Sequence, residues 1–407
     1  MTRPHPLDSQ SSARSRPGEP TVVRVSEQTP DGIRQRNLSR VLRLVHLEGP
    51  LSRAALTEST GLNRSTIADL VAHLVRAGLV QEHAPDRSRR VGRPSPVVAV
   101  DPRVLVVAVN PEVDALTIAA VGLDRSIPVR ERIELDHLIT PEETADLVAG
   151  RIAAWRSETL AGTRIVAVGL AVPGLVRAAD GLVRIAPHLD WHDAPLRDLV
   201  GDATGLPTTV GNDASLGAIA EHLYGAARGI DDVVYLNGGA SGIGGGLIVH
   251  GMPVGGAGGY AGEFGQNRPG IASDRDRRAS SGVLEAEVSR ARLLAVVARA
   301  SADEPTLAAL LADTALPDAI AEVARQRGIL ATALANAVNV LNPSVVVLGG
   351  FLATIAERDL EGLAAAVAAH AMPASMEGLD IRVAVLAEDR LLIGAAEAAF
   401  ADTLSAP

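Results

Sequence analysis

The 407-residue sequence contains no cysteine, which excludes disulfide bonds, thiolate catalysis and any zinc site built on cysteine ligands. Aromatic residues make up only 2% of the chain, so alanine, valine and leucine must build its core. No apolar run reaches the roughly 20 residues that a membrane-spanning helix needs. The first residues, MTRPHPLDSQSSARSRPGEP, lack the apolar segment of a secretory signal. We therefore expect a cytoplasmic protein with no membrane span.

The chain does have a large apolar fraction and an uneven charge. Apolar residues make up 47% of a chain long enough for two or three domains. The net charge is −10, yet residues 34–93 hold eleven arginines and five acidic residues, a net charge of +6, while residues 94–407 carry −16. A basic segment joined to an acidic body favours a polyanion-binding head on a different kind of domain. Chance clustering of charge is the alternative.

The first 100 residues divide into a tail and a head. Residues 1–30 are rich in Ser, Pro and Arg without periodicity, which predicts a disordered tail. Residues 31–100 predict three helices and two strands. Ser52 is placed to cap the second helix and Asn63 the third, and Gly61 between them can take a positive φ. Apolar residues at helical spacing predict the buried faces of the first and third helices: Leu38, Val41, Leu42 and Val45, then Ile67, Leu70, Val71 and Leu74.

This order of helices, glycine turn and strands is typical of a winged helix-turn-helix domain, whose third helix enters the major groove of DNA. The first turn of that helix carries short or forked hydrogen-bond donors, which suit phosphates and base edges. The residues predicted to form the helical part of a double-stranded DNA site are Ser52, Arg53, Asn63, Arg64, Ser65 and Thr66. An ordinary three-helix bundle is the alternative interpretation.

A basic segment, DRSRRVGRPSP, lies between the two predicted wing strands. Gly-Arg-Pro is extended and narrow, so it can lie in a minor groove, where the potential of A·T-rich DNA attracts arginine. We therefore predict minor-groove contacts by Arg90, Gly92 and Arg93. The alternative is a solvated basic linker.

From residue 104 onward, strand-like runs alternate with alanine-rich helices, which predicts an α/β body. Within it lie GLAVPGLVRAADGLVRIAPHLDWHDAPL, VGNDASLGAIAEH, GASGIGGGLIVHGMPVGGAGGYAGEFGQ, SSGVLEAEVS and ANAVNVLNPSVVVLGGF. In this order and spacing the motifs resemble the ROK family of repressors, uncharacterised frames and sugar kinases. The resemblance implies that residues 101–403 form two actin/hexokinase-like lobes with a sugar in the cleft, and that the chain assembles as a homodimer or homotetramer.

The resemblance also assigns residues to the sugar, which needs several oriented donors and acceptors in a cleft. Asn212 and Asp213 would bind hydroxyls, with Asp213 at the position of the catalytic base in the kinase members. Glu263 and Glu285 would add two carboxylates. Pro173 and Gly174 would shape the floor of the cleft.

Three departures from the family pattern bear on mechanism. Kinase members open the body with Asp-x-Gly-Gly-Thr, whose glycines let backbone N–H groups approach phosphate. Here the matching stretch is VNPEVD, with Asn110 in place of the aspartate and Glu112, Val113 and Asp114 in place of Gly-Gly-Thr. Two carboxylates and a branched side chain would repel and block a polyphosphate, so we expect no useful ATP binding.

The second departure removes the family's zinc site. Gln266 stands where the family has a histidine, and the cysteine cluster is replaced by NRPGIASDRDRRASSG. We therefore expect no metal, and we expect Gln266 to bond a sugar hydroxyl or to fix its loop. The third departure is PHLDW for PNLGW, which puts His188 at a position that often contacts the ligand and Asp190 at a glycine position.

Together these observations predict a transcriptional regulator, most simply a repressor of carbohydrate genes. A head separate from the body would bind operator DNA, and the body would hold a sugar or sugar derivative without phosphorylating it and without a cofactor. Two alternatives stay open: a sugar kinase with a DNA-binding head, and a ligand-free regulator whose body only dimerises.

Overall fold

The computed structural model describes residues 30–84, 95–271, 273–313 and 315–407. The predicted tail falls outside these ranges apart from Pro30, and so do Arg90, Gly92 and Arg93, whose minor-groove contacts stay predictions. Within the described residues no helix is both long and apolar enough to cross a membrane.

Three helices and a small antiparallel sheet form the head. The elements are α1 (Pro30–Glu48), β1 (Leu51–Ser52), α2 (Arg53–Thr60), α3 (Arg64–Arg76), β2 (Val80–His83) and β3 (Val97–Val100), with strand order β1-β3-β2. Ser52 caps α2 by accepting the N–H of Ala55 at 3.1 Å, and Asn63 caps α3 by accepting that of Thr66 at 2.8 Å. Gly61 joins the two helices with a φ of 70°, which favours glycine. The predicted caps and turn are confirmed.

The body contains two five-stranded sheets of the same topology. The first lobe comprises β4 (Val104–Pro111), β5 (Ala115–Gly122), β6 (Val129–Glu134), α4 (Pro141–Ser157), β7 (Arg164–Val172), β8 (Leu175–Val176), β9 (Val183–Ala186), β10 (Trp191–Ala194), α5 (Leu196–Thr204), β11 (Thr208–Asn212) and α6 (Asp213–Tyr224). Its large sheet has the order β11-β7-β4-β5-β6, and β10-β9-β8 form a smaller sheet.

The second lobe comprises β12 (Val233–Gly239), β13 (Gly242–Val249), β14 (Met252–Pro253), α7 (Leu284–Glu287), α8 (Arg290–Val296), α9 (Glu304–Asp313), α10 (Pro317–Leu341), β15 (Val345–Gly350), α11 (Phe351–Glu357), α12 (Leu360–Ala368) and β16 (Asp380–Val383), and α13 (Arg390–Ser405) then returns to the first lobe. Its sheet has the order β14-β13-β12-β15-β16. In each sheet a three-stranded antiparallel meander is followed by two parallel strands. The two-lobed α/β body predicted from the resemblance is confirmed.

Two helices lie between the lobes. α6 packs on β12 and β13 of the second lobe, and α13 packs on α6 and on β4 and β7 of the first. Gly394 of α13 lies against the backbone carbonyl of Leu216 in α6, at a point where any Cβ would overlap that carbonyl. The two helices therefore touch backbone to backbone.

The head and the first lobe share one hydrophobic core. The side chains of Leu38 and Val45 from α1 belong to the same buried cluster as Leu392, Phe400 and Leu404 from α13. A head separate from the body, as expected from the sequence, is therefore not what the structure shows. The apolar face of α13 packs against the apolar face of α1. This contact is favourable because it removes the apolar surface of both helices from water.

Candidate functional site

A cavity of about 370 Å³ opens between the lobes, within the size range of small-molecule sites. All eight residues that the resemblance assigned to a sugar line it: Pro173, Gly174, His188, Asn212, Asp213, Glu263, Gln266 and Glu285. The cavity thus joins residues from loops and helix ends of both lobes.

The side chain of Asn212 is held by hydrogen bonds at the N-terminus of α6. Its Oδ1 accepts the N–H of Ser215 at 2.9 Å as the helix N-cap, and its Nδ2 donates to Gly174 O at 3.0 Å and to Asp213 Oδ1 at 3.2 Å. Gly174 in turn lies so close to Ile185 O that a side chain there would collide with it. These bonds let Asn212 position the Pro173-Gly174 turn and the Asp213 carboxylate, and the ligand contact predicted for its side chain stays a prediction.

Asp213 presents a carboxylate at the first turn of α6. Oδ1 accepts the N–H of Ala214 at 2.7 Å. Burial raises the pKa of Asp213 to about 6, although the hydrogen bond from Ala214 and the charge of Arg390 oppose the shift. The side chain therefore changes charge near neutral pH.

Glu263 and Glu285 supply two further carboxylates. Gln266 Nε2 donates to Glu285 Oε1 at 2.5 Å. This bond fixes the loop that carries Gln266, which is one of the two roles predicted for that residue. The carboxylate of Glu263 receives no hydrogen bond from the described residues. Burial, followed by the charge of Glu285, raises the pKa of Glu263. An unpaired, partly desolvated carboxylate is ready to accept donors from a ligand.

The lining of the cavity is acidic, since it includes three carboxylates and, among the described residues, no arginine or lysine. The guanidinium of Arg390, whose charge acts on Asp213, is already engaged: Nε donates to Asn237 Oδ1 at 3.0 Å, and Nη2 lies 2.7 Å from Glu304 Oε1. This charge balance disfavours an anionic ligand, because a further negative charge would face uncompensated carboxylates at low dielectric.

The sequence reasoning missed several lining residues. Leu175 and Ile185 form an apolar wall, and Asn237 and Ser241 add polar groups from the second lobe. Asn237 lies in the glycine-rich stretch YLNGGASGIGGG, and this richness in glycine is the sequence feature that could have identified it. The apolar wall had no such signal, because it depends on how β8 and β9 fold over the cleft.

The VNPEVD stretch comprises the end of β4 and the tight turn that joins β4 to β5. Glu112 N donates to Ala115 O at 2.7 Å, which closes the hairpin. Arg132 lies 3.8 Å from the carboxylate of Glu112 and 3.2 Å from that of Asp114. Burial raises the pKa of Glu112, with Arg132 opposing the shift. The turn therefore offers acidic side chains where a phosphate loop would offer backbone N–H groups.

A buried ion network, also missed, holds the loop that follows Gln266. Glu287 is fully buried and accepts the N–H groups of Arg278 and Ala279, each at 2.9 Å. Arg325, itself 5% exposed, lies 3.2 Å from Glu287 and 2.7 Å from Glu322. This network ties the loop down at the end of α7, two residues beyond Glu285.

On the head, the predicted DNA-facing residues divide into two groups. Ser52 and Asn63 are caps, and Arg53 makes a bidentate ion pair with Glu82 of β2, with both bonds at 2.6 Å. Arg64 and Ser65 are exposed and Thr66 is half-buried at the start of α3. Ser65 donates to Asn63 at 2.7 Å, whereas Arg64 has no hydrogen bond or ion pair within the described residues. Arg64 is thus the most available of the predicted base-reading groups.

Comparisons with known proteins agree with this geometry. The profile of the ROK family matches residues 106–401. The chain is 26% identical over 410 residues to the xylose repressor of Caldicellulosiruptor bescii, covering 92% of this chain and 98% of that one. It is 30% identical over 285 residues to the glucokinase of Thermotoga maritima, covering 66% of this chain and 89% of that one.

Among solved structures, a ROK family transcriptional regulator, a homologue of the E. coli MLC protein, matches with a TM-score of 0.72 and 23% identity, covering 89% of this chain and 95% of that one. That likeness shows a shared fold. Because the family profile spans most of the chain, including every motif that lines the cavity, the chain belongs to the ROK family.

Proposed function

We propose that this protein is a sugar-responsive transcriptional regulator. Its head is a winged helix-turn-helix domain that binds operator DNA, and its body binds a sugar without phosphorylating it. The observation that carries this proposal is the acidic cavity, lined by residues of four separate motifs, on the same chain as a head with an exposed arginine at the start of its third helix. The full-length similarity to xylose repressors supports the same conclusion.

The head is proposed to read DNA through the first turn of α3. Arg64→Ala is expected to weaken binding to the cognate operator by about 1–3 kcal/mol, because arginine can bond the edge of a guanine with two N–H groups. The matched control is Arg76→Ala, an exposed arginine at the other end of the same helix. Fluorescence anisotropy on operator and random duplexes measures the effect. Equal operator affinity in wild type and Arg64→Ala would refute the assignment.

Operator binding by such a head implies a dimer with two-fold symmetry, so we propose a homodimer or a pair of dimers. The effector is proposed to be a neutral polyhydroxyl compound, since the described lining of the cavity has three carboxylates and no arginine or lysine. D-xylose and D-glucose are the first sugars to test, because relatives include xylose repressors and glucokinases.

Sugar binding is expected to strengthen as the pH rises through about 6. The hydroxyls of a sugar donate more strongly to Asp213 when that carboxylate is ionised, and its pKa is raised to about 6. At pH 5 roughly a tenth of the protein has Asp213 ionised, so the apparent Kd should be up to about tenfold higher than at pH 7.5. Calorimetric titrations at both pH values measure this. A Kd that is the same at both would show that Asp213 does not accept from the ligand.

A sugar kinase with a DNA-binding head is the second candidate, which the glucokinase similarity supports. Against it stands the β4–β5 turn, where Glu112, Val113 and Asp114 take the places of the family's phosphate-binding Gly-Gly-Thr. We expect no phosphorylation of D-glucose or D-xylose by ATP and Mg²⁺ in a coupled assay. A turnover above roughly 1 s⁻¹, an ordinary enzyme rate, would establish the kinase instead.

A further inference from the structure

We infer that α6 and α13 connect the cavity to the head, and that a buried cluster of His46, Tyr224 and Glu397 is the joint through which the head follows the cavity. The inference rests on the proposed function, because it explains how an occupied cavity alters operator binding. It also makes a claim about the head that can be tested without any sugar.

Both helices begin at the cavity. α6 starts at Asp213, which lines the cavity, and Tyr224 is its last residue, about 16 Å away along the axis. α13 starts at Arg390, which is bound to Asn237 in the cavity wall and to Glu304 of the second lobe. A ligand that changes the spacing of the lobes therefore acts on the first turn of each helix.

The two helices are built to move together. Gly394 of α13 and Leu216 of α6 are in backbone contact, so neither helix can slide past the other without a clash. The backbone carbonyl of Ala395, the next residue of α13, packs against Gly169 of β7 in the same way. Closely packed elements of this kind shift as units, because interiors have few voids to absorb a displacement.

Both helices meet the head at the joint. His46 of α1 is 1% exposed, with Nδ1 2.6 Å from Leu123 O and Nε2 3.0 Å from Glu397 Oε1 of α13. Tyr224 of α6 donates its hydroxyl to the same Glu397 oxygen at 2.8 Å and lies 2.9 Å from His46 Nε2. The guanidinium of Arg125 lies 4.4 Å above the Tyr224 ring and donates to His46 O at 2.7 Å.

These groups leave the head little freedom to detach. The pKa of Tyr224 is raised, first by burial and then by Glu397, so its hydroxyl keeps the proton that it donates. Separating His46 from Glu397 would leave buried polar groups without partners, which costs far more than moving the head with the helices. The body also holds the far end of α3, since Arg164 of β7 donates to Ala77 O at 3.1 Å. A displacement of α13 is therefore passed to α1 and to the predicted DNA-reading helix.

The test uses two conservative variants of the full chain, Tyr224→Phe and Glu397→Gln. The matched control is Glu48→Gln, because Glu48 also links α1 to the body through Arg228 at 2.8 Å, but both side chains are about half exposed. Operator Kd is measured with and without saturating D-xylose and D-glucose. Coupling between binding sites is commonly 5- to 150-fold. In the joint variants, the ratio of operator Kd values with and without sugar is expected to be at least about fivefold smaller than in wild type. Their Kd for the sugar itself is expected to stay within about twofold of the wild-type value.

A second measurement keeps the inference testable if neither sugar changes operator binding by wild type, an outcome that would count against the proposed function alone. Hydrogen exchange of the α1 amides in the free protein should be about tenfold faster in both joint variants and unchanged in Glu48→Gln. Unchanged exchange in the joint variants would overturn the joint. So would a full wild-type coupling ratio in both variants.

Discussion

Replacing Asp213 with alanine is expected to weaken sugar binding by about 100-fold or more. A carboxylate oxygen pair accepts two hydroxyls, and each hydrogen bond to a charged group contributes about 1.5–3 kcal/mol. The Asp213 carboxylate is held in one orientation by hydrogen bonds from Asn212 Nδ2 and from the N–H of Ala214. Without it, buried ligand hydroxyls would lack a partner.

The measurement is a thermal-shift screen of sugars, amino sugars and sugar phosphates, followed by titration of any compound that stabilises wild type. The control is Asp198→Ala, which removes an exposed acid of the same lobe outside the cavity. Glu263→Ala should behave like Asp213→Ala, and operator binding in the absence of sugar should persist in both. If no compound stabilises wild type, or if both variants respond as wild type does, the regulator with a body that only dimerises becomes the better interpretation.

Breaking the buried ion network is expected to destabilise the second lobe by about 3–5 kcal/mol. Arg325→Met removes the partner of Glu287, which is fully buried, and leaves its charge uncompensated. The double variant Glu287→Met/Arg325→Met removes both charges and should recover part of the loss, since no uncompensated charge stays buried. The recovery is incomplete because the N–H groups of Arg278 and Ala279 lose their acceptor. Urea unfolding followed by circular dichroism measures all three proteins.

The control for this prediction is Asp380→Asn, which breaks an ion pair with Arg382 whose members are 55% and 42% exposed, and it should cost less than about 1 kcal/mol. A loss of comparable size in Arg325→Met and in the control would mean that the network does not anchor the loop. Because the same loop joins Gln266 to Glu285, Arg325→Met should also weaken sugar binding in protein that is still folded.

The local features of the head could be predicted because they depend on residues close in sequence. Ser52 and Asn63 cap helices that begin at the next residue, and Gly61 is needed where the chain takes a positive φ. The same holds for the alternation of strands and helices in the body. The convergence of Asp213, Glu263 and Glu285 on one cavity followed from a resemblance to known motifs, not from their spacing.

Other features depend on which distant surfaces meet, and a pattern along the chain does not encode that. Arg53 carries the right charge for DNA, and only the structure shows that its guanidinium forms an ion pair with Glu82 of β2. Asn212 has the chemistry of a ligand contact, and only the structure shows that its side chain also bonds Gly174, Asp213 and Ser215. Hydrogen-bonding capacity is visible in a sequence, whereas the partner that uses it is decided by packing.

The sequence by itself determined the helix caps and the α/β body, because these follow from residue type and short-range order, and the resemblance of its motifs to a known family indicated the acidic character of the candidate site. Only the tertiary structure decided that the head shares its core with α13 and that His46, Tyr224 and Glu397 meet. These three residues are separated by more than 170 positions, from 46 to 224 and from 224 to 397. Each is an ordinary polar residue of a helix until the lobes and the head close around it and remove the water that it would otherwise bind.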